Sequence, residues 1–211
     1  MNTAWALSVV GAAFVVALVW AEWRGSRLRM IAKPLASFCF IGVALAAGAL
    51  DSGYGTWVLV ALVLSAVGDI ALLGDSTPTF LGGLTSFLLG HVAYVVAFSV
   101  RGTEMGATAL AVVLLVIPAV LVIRWLWPHV ERGMRGPVGA YAAVISMMVA
   151  FAVGTVAWDA DLRILLAAVA FYCSDLAVAR DRFVAPGFSN RLWGLPLYYG
   201  AQFVFAWTVV V

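Results

Sequence analysis

Of 211 residues, 65% are hydrophobic and 10% charged, and the mean hydropathy is +1.08. Soluble domains carry about 25% charged residues, so a water-soluble fold could not hide this much apolar surface. An integral membrane protein is implied, and the net charge of +2 reflects where basic residues sit along the chain rather than a nucleic-acid partner.

A helix needs ~20 apolar residues to cross the hydrocarbon core. In chain order, eight runs meet that need: 4–21, 32–50, 55–73, 80–100, 106–127, 138–157, 162–180 and 192–211. They are continuous rather than alternating, which excludes a membrane barrel. The first run lacks a basic leader and a small-residue cleavage site before Glu22, so it reads as a retained helix. Short polar segments such as "EWRGSRLRM", "PHVERGMRG" and "DRFVAPGFSN" separate the runs and leave no room for a soluble domain. The expectation is an all-α integral membrane protein with a single domain, residues 1–211, of eight transmembrane helices.

Basic residues set the orientation. Arg24, Arg27, Arg29 and Lys33 flank the first loop, Arg124, Arg132 and Arg135 the fifth, and Arg180, Arg182 and Arg191 the seventh. The alternate loops hold only Arg101 and Arg163. Odd-numbered loops are therefore expected in the cytoplasm of a bacterial-type plasma (inner) membrane, with both termini outside.

Span three contains "GDIALL" at 68–73, and span seven contains "SDLAVA" at 174–179. An aspartate at the centre of a membrane helix costs roughly 2.5–3.5 kcal/mol, so such residues face a wet cavity or a partner. One aspartate near a helix end is readily a capping or helix-pairing group. Two in matching contexts favour function. The match extends further: Gly83-Leu84 aligns with Gly194-Leu195, Phe87 with Tyr198 and His91 with Gln202, with one insertion in the loop. The halves then form two parallel four-helix repeats related by an axis along the membrane normal, and Asp69 and Asp175 lie at equal depth toward the cytoplasmic side.

His91 shares a helix face with Phe87 and Tyr94 by its i−4 and i+3 spacing. It serves equally as a ligand contact or as a hydrogen bond to a neighbouring helix. Lys33-Pro34 opens span two; proline suits a first turn, and Lys33 either snorkels or meets a phosphate as a point charge. Tyr141, Tyr172, Tyr198, Tyr199 and Gln202 are polar handles within spans, and some are interhelical glue. His129, Asp51, Asp75, Asp159, Asp161 and Asp181 fall in loops and read as solvated. Cys39 and Cys173 lie within spans as small apolar residues. With only two histidines and no metal-binding motif, a multi-histidine zinc site is excluded, and no metal or other cofactor is expected.

Six stretches carry a resemblance: "KPL" at 33–35, "GDIALL" at 68–73, "FLLGHVAYV" at 87–95, "YAAVISMM" at 141–148, "AFYCSDLAVARDRF" at 170–183 and "YYGAQFVFA" at 198–206. Taken in order, they resemble the YhhN-like membrane proteins, which include the lysoplasmalogenases. The resemblance implies an enzyme that hydrolyses the vinyl-ether bond of a lysoplasmalogen. The products are a fatty aldehyde and glycerophosphoethanolamine or glycerophosphocholine. The family's motif positions fall on Lys33, Asp69, His91, Tyr94, Asp175 and Gln202.

Vinyl-ether hydrolysis begins with protonation of the β-carbon to an oxocarbenium ion, which water attacks. Two carboxyl groups in a poorly hydrated cavity suit it, one acid protonated and the other ionised. Glycosidases stabilise a related cation in this way. Asp69 and Asp175 are the expected catalytic pair, and Lys33, His91, Tyr94, Tyr141, Tyr198 and Gln202 the expected substrate contacts. Phe87, Tyr94, Met148 and Phe171 are candidate walls of an apolar tunnel. The expected partners are a lysophospholipid substrate and membrane lipids. Paired intramembrane carboxylates also describe a proton-coupled carrier, with Pro118 and Pro196 as candidate breaks in helices. A non-catalytic lipid-binding protein is the third reading.

Overall fold

The computed structural model describes residues 2–74 and 76–210. Among them are eight α-helices: α1 (Asn2–Arg24), α2 (Arg29–Ala46), α3 (Gly53–Ala71), α4 (Thr77–Arg101), α5 (Met105–Leu126), α6 (Arg132–Asp159), α7 (Leu162–Ala179) and α8 (Phe188–Trp207). Each expected run has become one helix. The largest shift is in α6, which starts at Arg132 rather than 138. Backbone hydrogen bonding continues past the hydrocarbon boundary that hydropathy detects. Asp75 lies outside the described residues.

Local signals account for the helix starts. Ser52 and Ser76 cap α3 and α4 by accepting from Gly55 N and Thr79 N, and the Glu104 carboxylate caps α5 at Gly106 N and Ala107 N. Each cap satisfies amides that have no partner within the helix. Pro34 departs from expectation: α2 begins at Arg29, so the proline sits beyond the first turn, inside the helix. Because it has no N–H, the carbonyl one turn earlier loses its usual donor. After Ala179 the chain continues as a π-helical segment, Arg180–Val184.

The helices pack as antiparallel hairpins, α1 with α2, α3 with α4, α5 with α6 and α7 with α8. Contacts of α2 with α8 and α4 with α6 tie the two halves together. The main core holds Phe40, Leu62, Tyr94, Phe98, Phe171 and Phe205. By contrast, α5 leans on α6 and leaves Leu110, Val113, Ile117 and Leu121 more than half exposed. In water that face would be a liability; in a bilayer it is the surface lipid covers. Seven stretches, α1–α4, Met105–His129, α6 and Leu162–Val184, are long and apolar enough to cross a membrane. The protein is a multi-pass integral membrane protein.

Tryptophans mark two levels on the bundle. Trp5, Trp57, Trp158 and Trp207 sit where α1 and α3 begin and where α6 and α8 end. Trp20, Trp23, Trp125, Trp127 and Trp193 sit at the opposite end. Tryptophan favours the membrane–water interface, so the two groups read as two girdles. Arg24, Arg27, Arg29, Arg180, Arg182 and Arg191 gather at this second end, the basic end of the bundle.

The other end is closed by a polar cluster. Arg101 pairs with Asp159, donates to Asp161 Oδ2 at 3.0 Å and to the Thr208 carbonyl at 3.2 Å, and lies over the Tyr54 ring at 4.8 Å. Arg163 donates to Asp161 Oδ1 at 2.8 Å. Asp159 and Asp161, read from sequence as simply solvated, are ion-paired. Arg101 and Arg163, the two basic exceptions to the charge bias, thereby have their charge offset locally.

Candidate active site

A cavity of about 520 Å³ opens at the basic end. Lys33, Asp69, Phe87, Tyr141, Asp175 and Tyr198 line its inner part. Glu22, Arg29, Asp181, Arg182, Asn190 and Arg191 line its mouth. Both aspartates expected to be catalytic therefore face one cavity, as do Lys33, Tyr141 and Tyr198 of the six expected substrate contacts; His91, Tyr94 and Gln202 do not line it.

Asp69 sits near the end of α3 and is 2% exposed. Its Oδ2 accepts from Ser37 Oγ at 2.7 Å and from the Tyr198 hydroxyl at 2.6 Å, and Lys33 Nζ stands 3.4 Å from Oδ1. Lys33 and Ser37 project from α2 one turn apart, so one helix face supplies both. Tyr199 donates to the Lys33 carbonyl at 3.2 Å and holds that turn. Sequence reading missed Ser37. Its i+4 spacing from Lys33 was the available signal.

Asp175 has different partners. Tyr141 of α6 donates to its Oδ2 at 2.7 Å, and His91 Nε2 of α4 lies 3.4 Å from the same oxygen. The His91 ring stacks on Phe171 at 4.4 Å and meets Tyr141 edge-on at 5.3 Å. Each aspartate is thus held by the preceding helix of its own half and by a helix from another hairpin.

α3 and α7 meet the cavity without packing directly on each other. Side chains of α4 and α8 bridge them: Tyr198, bonded to Asp69, packs against Phe171 at 5.5 Å, and Phe171 carries His91 to Asp175. The two acids share no hydrogen-bond partner among the described residues.

Tyr94 and Gln202 do not line the cavity. They are fully buried and pair with each other, Tyr94 Oη to Gln202 Oε1 at 2.6 Å, while Gln202 donates to Ser65 at 3.3 Å. Of the candidate tunnel walls, Phe87 lines the cavity, whereas Tyr94, Met148 and Phe171 belong to the core behind it. Asp181 is not a free loop charge. It accepts from Gly187 N at 2.8 Å and Asn190 Nδ2 at 3.0 Å and meets Arg191 at 3.3 Å. Arg191 also donates to Glu22 at 2.7 Å. These contacts fix the mouth between α1, the π-helical segment and α8. No group of three or more His, Cys, Asp or Glu side chains among the described residues is placed to hold a metal ion.

Residues 28–209 match the model of the YhhN family. The chain belongs to the YhhN family. Its similar proteins include Lysoplasmalogenase TMEM86A of Bos taurus, 31% identical over 84% of this chain and 76% of that protein. Lysoplasmalogenase TMEM86A of Homo sapiens is 30% identical over the same shares. Lysoplasmalogenase TMEM86B of Mus musculus is 32% identical over 71% of this chain and 62% of that protein. No solved structure matches. The family match covers α2 to α8, the helices that carry Lys33, Ser37, Asp69, His91, Tyr141, Asp175 and Tyr198.

Proposed function

We propose that this YhhN protein hydrolyses the vinyl-ether bond of a lysoplasmalogen, releasing a fatty aldehyde and glycerophosphoethanolamine or glycerophosphocholine. One observation carries the reading: two carboxyl groups from separate helices line a single cavity at one end of the bundle, in a chain whose relatives are named lysoplasmalogenases. One carboxyl protonates the vinyl β-carbon, and the other receives a proton from the water that adds to the oxocarbenium carbon. The resulting hemiacetal collapses to aldehyde and alcohol. Arg29 and Arg182 at the mouth and Lys33 further in supply positive charge for the substrate phosphate, and Tyr141 and Tyr198 orient the acids. Tyr94 and Gln202 act from behind, bracing α4 against α8.

The reading includes a membrane placement. α8 meets α1 at both ends, Trp5 against Trp207 at 4.8 Å and Glu22 with Arg191 at 2.7 Å. It therefore extends as far as α1 and counts as the eighth span. The basic end is cytoplasmic by the positive-inside rule, both termini are outside, and the host membrane is a bacterial-type plasma membrane. Matched packing supports two parallel repeats. The contacts α1·α2, α2·α3, α3·α4 and α2·α8 correspond to α5·α6, α6·α7, α7·α8 and α6·α4. A Cβ on Gly83 would come within 2.7 Å of Leu72, and one on its counterpart Gly194 within 2.6 Å of Ala177. The same close approach thus recurs in both halves.

Purified protein in detergent, given a 1-alkenyl lysophospholipid, should release aldehyde. Asp69→Asn and Asp175→Asn should each reduce turnover by about 10²-fold or more, the usual contribution of a general acid or base. No aldehyde from well-folded wild type would end the hydrolase reading. Uptake by sealed vesicles without hydrolysis would favour a carrier.

A further inference from the structure

Hydrogen bonding fixes the tautomer of His91. Its Nδ1 lies 2.6 Å from the Phe87 carbonyl oxygen one turn earlier. A carbonyl oxygen only accepts, so Nδ1 carries a hydrogen. In the neutral ring Nε2 is then a bare acceptor. It has no hydrogen-bond partner and faces Asp175 Oδ2 at 3.4 Å. His91 is fully buried. An ionised carboxylate opposite a neutral imidazole would set two acceptors face to face where water cannot separate them, and such unpaired polar groups are expensive. A single proton between Oδ2 and Nε2 removes the conflict. Aromatic rings enclose His91, and separated charges are poorly supported in such surroundings. The carboxyl hydroxyl donating to a neutral imidazole is the favoured arrangement. Oδ2 can at the same time accept from Tyr141.

The surroundings of Asp69 are the reverse. Two hydroxyls and an ammonium group converge on its carboxylate, and donors of this kind suit an anion.

We infer that Asp175 holds a proton shared with His91 and is the general acid, while Asp69 is the resident carboxylate and the base. This assignment rests on the hydrolytic reading above. The Asp175 O–H bond breaks, and its proton bonds to the vinyl β-carbon through the C=C electron pair, leaving positive charge on the adjoining carbon and the ether oxygen. Water adds to that carbon and gives a proton to Asp69. As the hemiacetal collapses, its hydroxyl proton returns to Asp175, and Asp69 passes its proton to the departing glycerol oxygen. One water is consumed and both acids are restored. His91 is a positioning residue, which holds the acid's proton without touching substrate.

The assignment makes the two Asn variants unequal in the absence of substrate. An amide at 175 can donate to His91 Nε2 as a neutral carboxyl would, while Tyr141, the donor in the wild type, can turn its hydroxyl to accept the second N–H. An amide at 69 leaves Lys33 without a counter-charge, and one of its faces opposes donors.

Infrared difference spectroscopy of the substrate-free, detergent-purified protein at pH 7 reads this directly. Wild type should show the carbonyl stretch of a protonated carboxyl group. Asp175→Asn should lose it, and Asp69→Asn should keep it. His91→Leu and His91→Gln should shift its frequency, because the hydroxyl loses or changes its acceptor. The melting temperature should be nearly unchanged in Asp175→Asn and lowered in Asp69→Asn. A band that survives in Asp175→Asn, disappears in Asp69→Asn, or ignores both His91 substitutions overturns the assignment. Because no substrate is present, that failure is separate from failure of the hydrolase reading, which aldehyde release alone decides.

Discussion

At the scale of single residues, the two ends of the molecule use charge differently. At the end away from the cavity, Asp161 caps α7 by accepting from Arg163 N and also binds the Arg163 and Arg101 side chains. Hydrogen bonding from Arg163, chiefly, holds its carboxyl below the ordinary aspartate range. A carboxyl whose pKa is depressed by folding contributes stability above its unfolded pKa and loses it as pH falls through the folded value. The melting temperature should therefore decline on acidification below about pH 4, the unperturbed aspartate value. Asp161→Asn should flatten that decline. An unchanged acid limb in the variant would show that the cluster does not contribute. The loop acids were visible in the sequence, but their pairing was not. Asp159 ends α6 and Asp161 caps α7, whereas Arg101 ends α4, and only folding brings them together.

Helix crossings explain some of the composition of the motifs. A Cβ on Gly68 would fall 2.7 Å from the ring of Phe87. That ring lines the cavity and packs edge-on against Tyr198 and Phe171 at 5.7 and 6.3 Å. Glycine before Asp69 thus lets α3 and α4 approach closely enough to place Phe87 beside the acid. Overpacking of a filled core costs about 1–3 kcal/mol. Gly68→Ala should destabilise the protein by that amount and lower turnover by displacing Phe87. Adding Phe87→Ala should restore part of the stability, a coupling expected of residues in contact, and strictly additive losses would contradict it. The π-helical turn after α7 matters for a related reason. It carries Asp181 and Arg182 to the cavity mouth, and Phe183 to an edge-on contact with Phe80 at 6.1 Å. Widened turns of this kind are frequent at functional sites. Hydropathy saw only the end of a span there.

For the whole molecule, the cavity opens at the end where basic residues collect, and the opposite end is closed by Arg101, Asp159, Asp161 and Tyr54. The proposed cytoplasmic placement of the mouth gives a testable orientation. A cysteine introduced at Gly133, in the first turn of α6 where a Cβ would meet open space, should be labelled from the cytoplasmic face and not from outside intact cells. External labelling would reverse the orientation and the side from which substrate enters. Cys39 and Cys173 lie within helices, buried and half-buried, so a variant lacking both provides the clean background.

The sequence alone determined the class, the helices and the two aspartates. Apolar runs of membrane length have little alternative to becoming helices in a bilayer, because every backbone group must be satisfied within the segment. An aspartate in such a run is conspicuous without any knowledge of its neighbours. Tertiary structure decided the division between residues that line the cavity and residues that only resemble them. Tyr94 and Tyr198 are equally polar handles in sequence, yet one faces Gln202 in the core and the other faces Asp69 in the cavity. It also decided the unlike surroundings of two matching aspartates, since hydroxyls and an ammonium group reach Asp69 while a tyrosine and an imidazole reach Asp175. Those partners come from other helices, and the rotation of each helix about its axis is set by packing, which a run of apolar residues does not encode.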